Sequence, residues 1–224
     1  MIRLADFEQH TLRLAAAVVP ASRFCVYRVG RDLQPYGHVV LGGDTRWIEP
    51  YMREYRAVDP FHPRYFEHSP RSVFRMADAQ CAQEQLERYR AGFQSRMGMT
   101  FKAEVFLRGT SGHILAGLRI SRSVALGEFG PDTVATLEAL EPVLTAALHT
   151  ALRDEALSIA GTSLTARERE VLRWVAEGVP NKLICARLGL ALPTVKCHVK
   201  KVLHKFGAHT RAELLAGLYR TPLS

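Results

Sequence analysis

The spacing of apolar residues predicts alternating helices and strands in the first 157 residues. Near the N-terminus a helical spacing predicts an amphipathic helix, one side of which holds Leu4, Phe7, Thr11, Leu14 and Val18. Two segments rich in aromatic and β-branched residues follow, RFCVYRVG and DLQPYGHVVLGG. Glycine and proline bound these segments, so we expect two strands joined near Gly30 and Asp32.

Two more helices and a hairpin are predicted further along. The helical stripes are Trp47, Tyr51 and Tyr55 in one segment and Leu86, Tyr89 and Phe93 in the other. The first of these helices should end at Asp59, because Pro60 disfavours helix at the residue before it. TFKAEVFLRGTSGHILAGLRIS alternates on both sides of a glycine-containing turn, which predicts a hairpin. This order predicts an α+β domain of the sensor type, an α-β-α sandwich around an antiparallel sheet.

A long leucine stripe ends this first domain, which we place at 1–157. The stripe comprises Leu137, Leu140, Leu144, Leu148 and Leu152. Pro142 is expected to kink or split the helix. SIAGTS, at 158–163, is small and polar and is interpreted as a linker to a second domain at 164–224.

Residues 164–224 predict an all-α domain of four short helices. Its expected helix ends are capping boxes at Thr165 with Glu168 and Thr210 with Glu213, an N-cap at Asn181, and terminating glycines at Gly178, Gly189 and Gly207. The second and third helices are separated by about four residues, which is typical of a helix-turn-helix.

The third of these helices, within LPTVKCHVKKVLHKF, has two unlike faces. Val195, Val199, Val202 and Phe206 share one stripe and should face the bundle. The lysines lie elsewhere on the helix, where a merely solvated face is the alternative interpretation. Residues 164–224 hold 11 Lys+Arg against 4 Asp+Glu, so they supply +7 (11 − 4) of the net charge of +8. This asymmetry favours a surface that binds a polyanion, and the helix-turn-helix favours double-stranded DNA.

LTAREREVL, the pattern G-x-x-N-K-x-I and TVKCHVKKVLHKF resemble the DNA-binding domain of the LuxR/FixJ superfamily of bacterial regulators, over roughly 164–220. The resemblance implies that the third helix enters the major groove. It assigns base contacts to Lys196, Cys197 and Lys200, backbone contacts to Thr194, Lys182 and Lys201, and a dimerisation surface to Leu214, Leu215 and Leu218. It also makes RNA polymerase a candidate partner. Ala191 stands where the family often has serine, so the third helix is expected to lack its usual cap, with Pro193 as its first residue.

A weaker pattern lies at about 40–120 and consists of Trp47, Tyr51, Asp59, Pro60, Phe74 and Gly98. In the order of these residues the segment resembles the autoinducer-binding domains of quorum-sensing LuxR-type proteins. The resemblance implies an acyl-homoserine lactone or another amphipathic ligand, bound by Trp47, Tyr51, Tyr55, Asp59, Phe74 and Phe101. In such sites Trp and Tyr donate to ligand carbonyls and Asp accepts from an amide. Phe74 replaces a usual Trp and Lys102 a usual Pro, which suggests a divergent receptor. Lys102 is expected on the surface, and ordinary core packing is the alternative for the aromatic stripe.

Other kinds of chemistry find little support in the sequence. Cys25, Cys81, Cys185 and Cys197 form no C-x-x-C pair and are interpreted as free thiols, with a Cys25–Cys81 redox pair as the alternative. No metal site, cofactor, catalytic motif, phosphorylatable receiver or membrane-spanning stretch is predicted, and a cytoplasmic location is expected. We therefore expect a homodimeric transcriptional regulator that binds DNA under small-molecule control. The alternative is a ligand-independent regulator whose N-terminal domain serves only dimerisation or protein interaction.

Overall fold

A computed structural model describes residues 3–79, 81–161 and 164–220, without the side chains of 156–161 and 216–220. The chain divides into two compact units, Ala5–Leu148 and a second that comprises His149–Ser224 with the residues before Ala5. The division falls within a long helix, α4, which spans Pro131–Gly161. Helix α4 continues through the predicted linker at 158–163 as far as Gly161, and residues 162 and 163 lie outside the described chain, so the linker stays a prediction.

The first unit is built on a five-stranded antiparallel sheet, as counted in the described residues. Its strands are β1 (Arg23–Val29), β2 (Pro35–Leu41), β3 (Val73–Arg75), β4 (Phe101–Arg108) and β5 (Ile114–Arg122), in the order β2-β1-β5-β4-β3. The predicted first strand pair and the predicted hairpin are confirmed. The short edge strand β3 was not predicted, because three residues are too few to show an alternating pattern.

Helices precede and follow the strands along the chain. They are α1 (Leu4–Val18), α2 (Ile48–Pro50) and α3 (Gln83–Tyr89), with 3₁₀ turns at Pro63–Tyr65, Met76–Asp78 and Val124–Leu126. Helix α2 continues as a π turn (Tyr51–Tyr55) and a 3₁₀ turn (Arg56–Val58), and α3 continues as a π turn (Arg90–Gln94) and a 3₁₀ turn (Ser95–Met97). Helix α4 runs unbroken through Pro142, so the predicted split does not occur. No helix in the described ranges is both long and apolar enough to cross a membrane.

The central strands β4 and β5 are buried on both faces, which confirms the α+β fold with layers on either side of the sheet. On one face Val105 pairs with Leu118. On the other face the cross-strand row Cys25–Arg119–Glu104 contains two charged side chains. This second face supports a large cluster of aromatic residues, and the candidate site of the first unit lies there.

The second unit contains the four predicted helices, α5 (Ala166–Ala176), α6 (Asn181–Leu188), α7 (Leu192–Lys205) and α8 (Arg211–Arg220). One apolar cluster joins them, with Val171 and Leu172 from α5, Ile184 from α6, Val195 and Val202 from α7 and Leu214 from α8. Helix α6 begins at Asn181 after Pro180, whose side chain makes no cap, so the predicted N-cap at Asn181 is wrong by one residue. The Asn181 side chain instead accepts from Arg211.

Candidate functional site

The two faces of α7 separate as the sequence predicts. Val195, Val199 and Val202 are buried in the bundle, and Phe206 packs against the same cluster. The predicted DNA-contacting residues Thr194, Lys196, Cys197, Lys200, Lys201 and Lys182 are all exposed. Helix α7 therefore presents Lys196, Lys200 and Lys201 to solvent as a basic surface while its valines anchor it, and Lys182 is exposed on α6.

The first turn of α7 carries no side-chain cap, as expected from Ala191. Leu192 is the first helical residue and Pro193 the second, so Pro193 occupies the position after the predicted one. Backbone N–H groups in the first turn of a helix lack intrahelical partners and carry partial positive charge. This end of α7 therefore adds to the positive potential of the basic surface.

Helix α5 is fixed by a capping box that also binds a lysine of α7. Thr165 Oγ1 accepts from the Glu168 N–H at 3.3 Å, and Glu168 Oε2 accepts from the Thr165 N–H at 2.8 Å. Lys205 Nζ donates to the same Glu168 oxygen at 2.7 Å. Lys205 and the Thr165 N–H together lower the pKa of the Glu168 carboxyl to about 2. Lys205 is thus committed to the bundle and is distinct from the exposed lysines of α7.

Two of the three predicted dimerisation residues, Leu214 and Leu215, have described side chains. Leu214 is buried in the apolar cluster of its own domain, so the assignment of Leu214 to a dimer surface is wrong. Leu215 is half-buried. The side chain of Leu218 lies outside the described residues, and dimerisation through α8 stays a prediction.

In the first unit, Asp59 is fully buried and its carboxylate is satisfied within the protein. Oδ2 accepts from the Tyr51 hydroxyl and from Arg119 Nη1, both at 2.7 Å. Oδ1 accepts from the Phe61 N–H at 2.9 Å. The carboxylate that the sequence assigns to a ligand amide is therefore held by Arg119 in this structure.

Arg119 binds a second buried carboxylate, that of Glu104. Its Nε donates to Glu104 Oε2 at 2.6 Å, and the Tyr27 hydroxyl donates to Glu104 Oε1 at 2.8 Å. The Tyr27 ring reaches Glu104 by lying over Gly117, where a Cβ would stand 2.3 Å from the Tyr27 ring. We call Asp59, Glu104, Arg119, Tyr27 and Tyr51 the buried network.

Burial and ion pairing together determine which side chains of the buried network are ionised. Burial alone would raise the pKa of Asp59, but Arg119, Lys102 and the hydrogen bonds from Tyr51 and Phe61 bring it below its usual value. Burial alone would lower the pKa of Arg119, but the two carboxylates hold it well above its usual value. Asp59 and Arg119 are therefore an ion pair at neutral pH.

Lys102 is buried next to this network, so its predicted surface position is wrong. Its residue is 3% exposed, and Nζ donates to the Tyr89 hydroxyl at 2.6 Å. Nζ also lies over the rings of Tyr89 and Phe93, 4.5 and 4.9 Å from their centroids. Burial lowers the pKa of Lys102 to about 7, with Arg119 contributing in the same direction.

The predicted ligand-binding aromatic residues fall into three places. Trp47, Tyr51 and Tyr55 pack around Phe93, with ring centroids 6.0, 5.3 and 5.4 Å away. Phe74 packs with Phe66 and Phe106, at 4.2 and 5.9 Å. Phe101 lines an outer groove instead. These five residues and Asp59 do not surround one space. The sequence did not predict the polar side chains of Arg119, Glu104, Tyr27 and Lys102 that hydrogen-bond in this region.

Two spaces adjoin the aromatic cluster, and Met99 lines both of them. A small cavity of about 20 Å³ is lined by Arg23, Cys25, Trp47, Phe93, Met97, Met99, Lys102, Arg119 and Ser121. A groove of about 480 Å³ is lined by Met76, Ala77, Arg90, Gln94, Ser95, Gly98, Met99, Thr100, Phe101 and Glu128. The cavity has room for about one water molecule, whereas the groove is in the size range of a ligand site.

The cysteines show no redox pair. All four are free thiols, and burial raises the pKa of Cys25 to about 12, so this thiol stays protonated. In the described ranges no three His, Cys, Asp or Glu side chains gather as a metal site would require.

Comparison with known proteins gives a family for the second unit. Residues 162–216 match the model of the bacterial regulatory proteins of the luxR family. The monoamine regulon transcriptional regulator of Klebsiella aerogenes is 27% identical over 205 residues, which cover 92% of this chain and 87% of that protein. The C-terminal domain is a LuxR-family helix-turn-helix domain.

Two other known proteins resemble only part of this chain. The nitrate/nitrite response regulator NarL of Escherichia coli K12 is 36% identical over 107 residues, which cover 47% of this chain and 49% of NarL. The chain thus spans about half the length of this relative. The ligand-binding domain of VqsR from Pseudomonas aeruginosa superimposes with a TM-score of 0.54 at 16% identity, covering 67% of this chain and 89% of that domain. At this identity the superposition establishes a common fold.

Proposed function

We propose that this LuxR-type DNA-binding transcriptional regulator reads double-stranded DNA with the exposed face of α7. Lys196, Cys197 and Lys200 contact base edges in the major groove, and Thr194, Lys182 and Lys201 contact the phosphate backbone. The observation that carries this assignment is the division of α7, where the valines are buried and every assigned side chain is exposed. Lysine can donate to guanine O6 and N7, whereas phosphate contacts position the helix without reading sequence.

A pair of substitutions separates these two roles. Lys200→Ala should weaken binding to a selected operator by about 10- to 100-fold and relax the preference at one base pair. Lys201→Ala should weaken binding to all sequences alike and reduce the slope of log affinity against log salt by about 1. Fluorescence anisotropy with operator and scrambled duplexes over a range of salt measures both effects.

Arg173→Ala is the matched control, because it removes an exposed positive charge from α5 rather than α7. It should change operator affinity less than Lys200→Ala and leave the base preference intact. Unchanged affinity and base preference in Lys200→Ala would contradict the assignment of the α7 face.

The first unit is proposed as a sensor that controls DNA binding through a small molecule. Its fold is shared with a domain that is described as ligand-binding, and a groove of about 480 Å³ beside the aromatic cluster offers a surface of ligand size. A ligand alters DNA affinity only as far as it binds the two functional states differently. We propose a homodimer that occupies a two-fold operator, with half-sites about one helical turn apart.

One observation favours the alternative, in which the first unit binds no ligand and serves dimerisation or protein interaction. The interior beside Trp47 is nearly filled, with about 20 Å³ of space. Native mass spectrometry of the purified protein decides between the two functions, since a sensor should retain or take up a small molecule. Light scattering coupled to size exclusion tests the dimer independently.

A further inference from the structure

We propose that Lys102 and the indole N–H of Trp47 bind the carboxylate of a small acidic ligand, whose apolar body occupies the adjoining groove. This inference rests on the proposed sensor function and specifies its ligand class. It departs from the neutral lactone implied by the sequence resemblance.

The cavity beside Lys102 is lined by hydrogen-bond donors. Lys102 and Arg119 are cations, and Arg23 adds a third at the edge. The Trp47 Nε1–H is buried without a hydrogen-bond partner in the described part of the chain. Ser121 and Cys25 can donate or accept, and the two carboxylates of the buried network do not line this space. A group that enters must therefore accept hydrogen bonds, and an anion is favoured over a cation.

Lys102 has bonding capacity left for such a group. Its ammonium has three N–H donors, and one bonds the Tyr89 hydroxyl. The nearby carboxylates of Asp59 and Glu104 both bond Arg119 instead. A buried ammonium and an unpaired indole N–H are costly unless an acceptor compensates them, and one carboxylate with two oxygens can serve both.

Met99 separates this cavity from the groove, because its side chain lines both spaces. The neighbouring Gly98 is left-handed, with φ +61°, and has open space around it. Displacement of Met99 would join the 20 Å³ cavity to the 480 Å³ groove. The joined space is large enough for a small ligand with its acidic end inward.

A second polar atom without a hydrogen-bond partner belongs to Gln94, which lines the groove. Gln94 is 6% exposed, its Nε2 donates to the Thr100 carbonyl, and its Oε1 has no partner among the described residues. The two atoms without a partner belong to residues that line the two spaces, a donor of Trp47 at the cavity and an acceptor of Gln94 at the groove, and Met99 lines both spaces. They match a ligand that carries a carboxylate at its inner end and an N–H or O–H donor on its body.

Calorimetric titration of the full-length protein with two matched ligand series tests the proposal. One series is indole-3-acetate, indole-3-acetamide, tryptamine and naphthalene-1-acetate, and the other is N-octanoylglycine with its amide. The acids should bind about tenfold or more tightly than the amides and the amine at concentrations up to about 1 mM. Indole-3-acetate should exceed naphthalene-1-acetate, which lacks the N–H donor for Gln94.

Lys102→Met should remove the preference for acids, whereas Arg31→Met, which removes an exposed cation from the same unit, should leave it. If Lys102→Met does not fold, Trp47→Phe removes only the indole N–H and should weaken the acids selectively. Acid affinity should also fall from pH 6 to pH 8.5, as the ammonium loses its proton. The charged and titratable groups around it are Tyr89, Arg119, Asp59, Glu104 and Arg23.

Each outcome separates the ligand class from the sensor function. Equal binding of acid and amide, acid preference retained in Lys102→Met, or binding of the neutral amides alone overturns the ligand class and leaves the sensor function. Acid binding that leaves operator affinity unchanged overturns the sensor function while the site stands. Absence of binding by every compound overturns both.

Discussion

Arg119→Met should destabilise the first unit by about 3–5 kcal/mol at pH 7, because it removes the cation that bonds two buried carboxylates, those of Asp59 and Glu104. Methionine keeps much of the side-chain length and apolar stem. Asp59 and Glu104, both 0% exposed, would each lose an ionic hydrogen bond of 2.6–2.7 Å. The change therefore tests the electrostatic role of Arg119 with little change in packing volume.

The loss of stability has an upper limit, because Asp59 and Glu104 can take up protons instead of staying charged without Arg119. From ordinary pKa values of 3.8 for Asp59 and 4.5 for Glu104, protonating these carboxylates at pH 7 costs about 4.4 and about 3.4 kcal/mol respectively. These sums set an upper limit of about 8 kcal/mol at pH 7 and about 2 kcal/mol at pH 5. Without Arg119 both folded-state pKa values rise above their unfolded values, so stability is lost as pH rises. The deficit relative to the wild type should therefore shrink from pH 7 to pH 5.

Urea unfolding followed by tryptophan fluorescence measures this deficit. The chain has two tryptophans, so a Trp174→Phe background leaves Trp47 as the reporter of the first unit. The control combines Arg119→Met with Asp59→Asn and Glu104→Gln, which removes all three charges of the buried network. It should be more stable than Arg119→Met alone at pH 7 and should show little pH dependence. A deficit below about 1 kcal/mol at pH 7, or one that is equal at both pH values, would refute the assigned role of Arg119.

Three further predictions concern single positions. Gly117→Ala should cost about 1–3 kcal/mol in the same assay, because its Cβ would lie 2.3 Å from the buried Tyr27 ring; a neutral result would contradict that packing. Gly189→Ala should cost about 1 kcal/mol of C-terminal domain stability, because φ is +62° there and no atom crowds the site; a loss several times larger would indicate an unrecognised contact. Glu168→Gln should destabilise the wild-type C-terminal domain above pH 4.5, and the difference should vanish as pH falls towards 2, because Lys205 lowers the pKa of Glu168 to about 2. Circular dichroism during acid titration checks this, and a pH-independent difference would exclude the Glu168–Lys205 pair as its cause.

The α7 surface was predictable because it depends on local spacing alone. Val195, Val199 and Val202 repeat at the helical period, so the buried face and the lysine face follow without knowledge of tertiary contacts. The helix ends at Gly189 and Gly207 follow in the same way from residue type. Leu214 was misassigned because an apolar residue on an amphipathic helix packs into its own domain as readily as onto a partner.

The buried network was not predictable from local spacing, because its members are far apart in the chain. Asp59 and Arg119 are 60 residues apart, and Tyr27 and Glu104 are 77 apart. One clue was available, since Glu104 and Arg119 each interrupt an apolar strand on opposite arms of the predicted hairpin. Pairing those arms through the RGTSG turn places the two charges opposite each other, as the register confirms.

Lys102 shows how that internal pairing changes the chemistry of the site. An aspartate free to accept would suit a ligand that donates, such as an amide. Here Arg119 occupies Asp59 and Glu104, which removes both carboxylate acceptors from the cavity and leaves the donors of Lys102 and Trp47 facing it. The polarity of the cavity is therefore the reverse of the one expected from Asp59 alone. An acceptor-bearing, anionic ligand follows from that reversal, and a neutral lactone would leave the ammonium of Lys102 without a counter-charge.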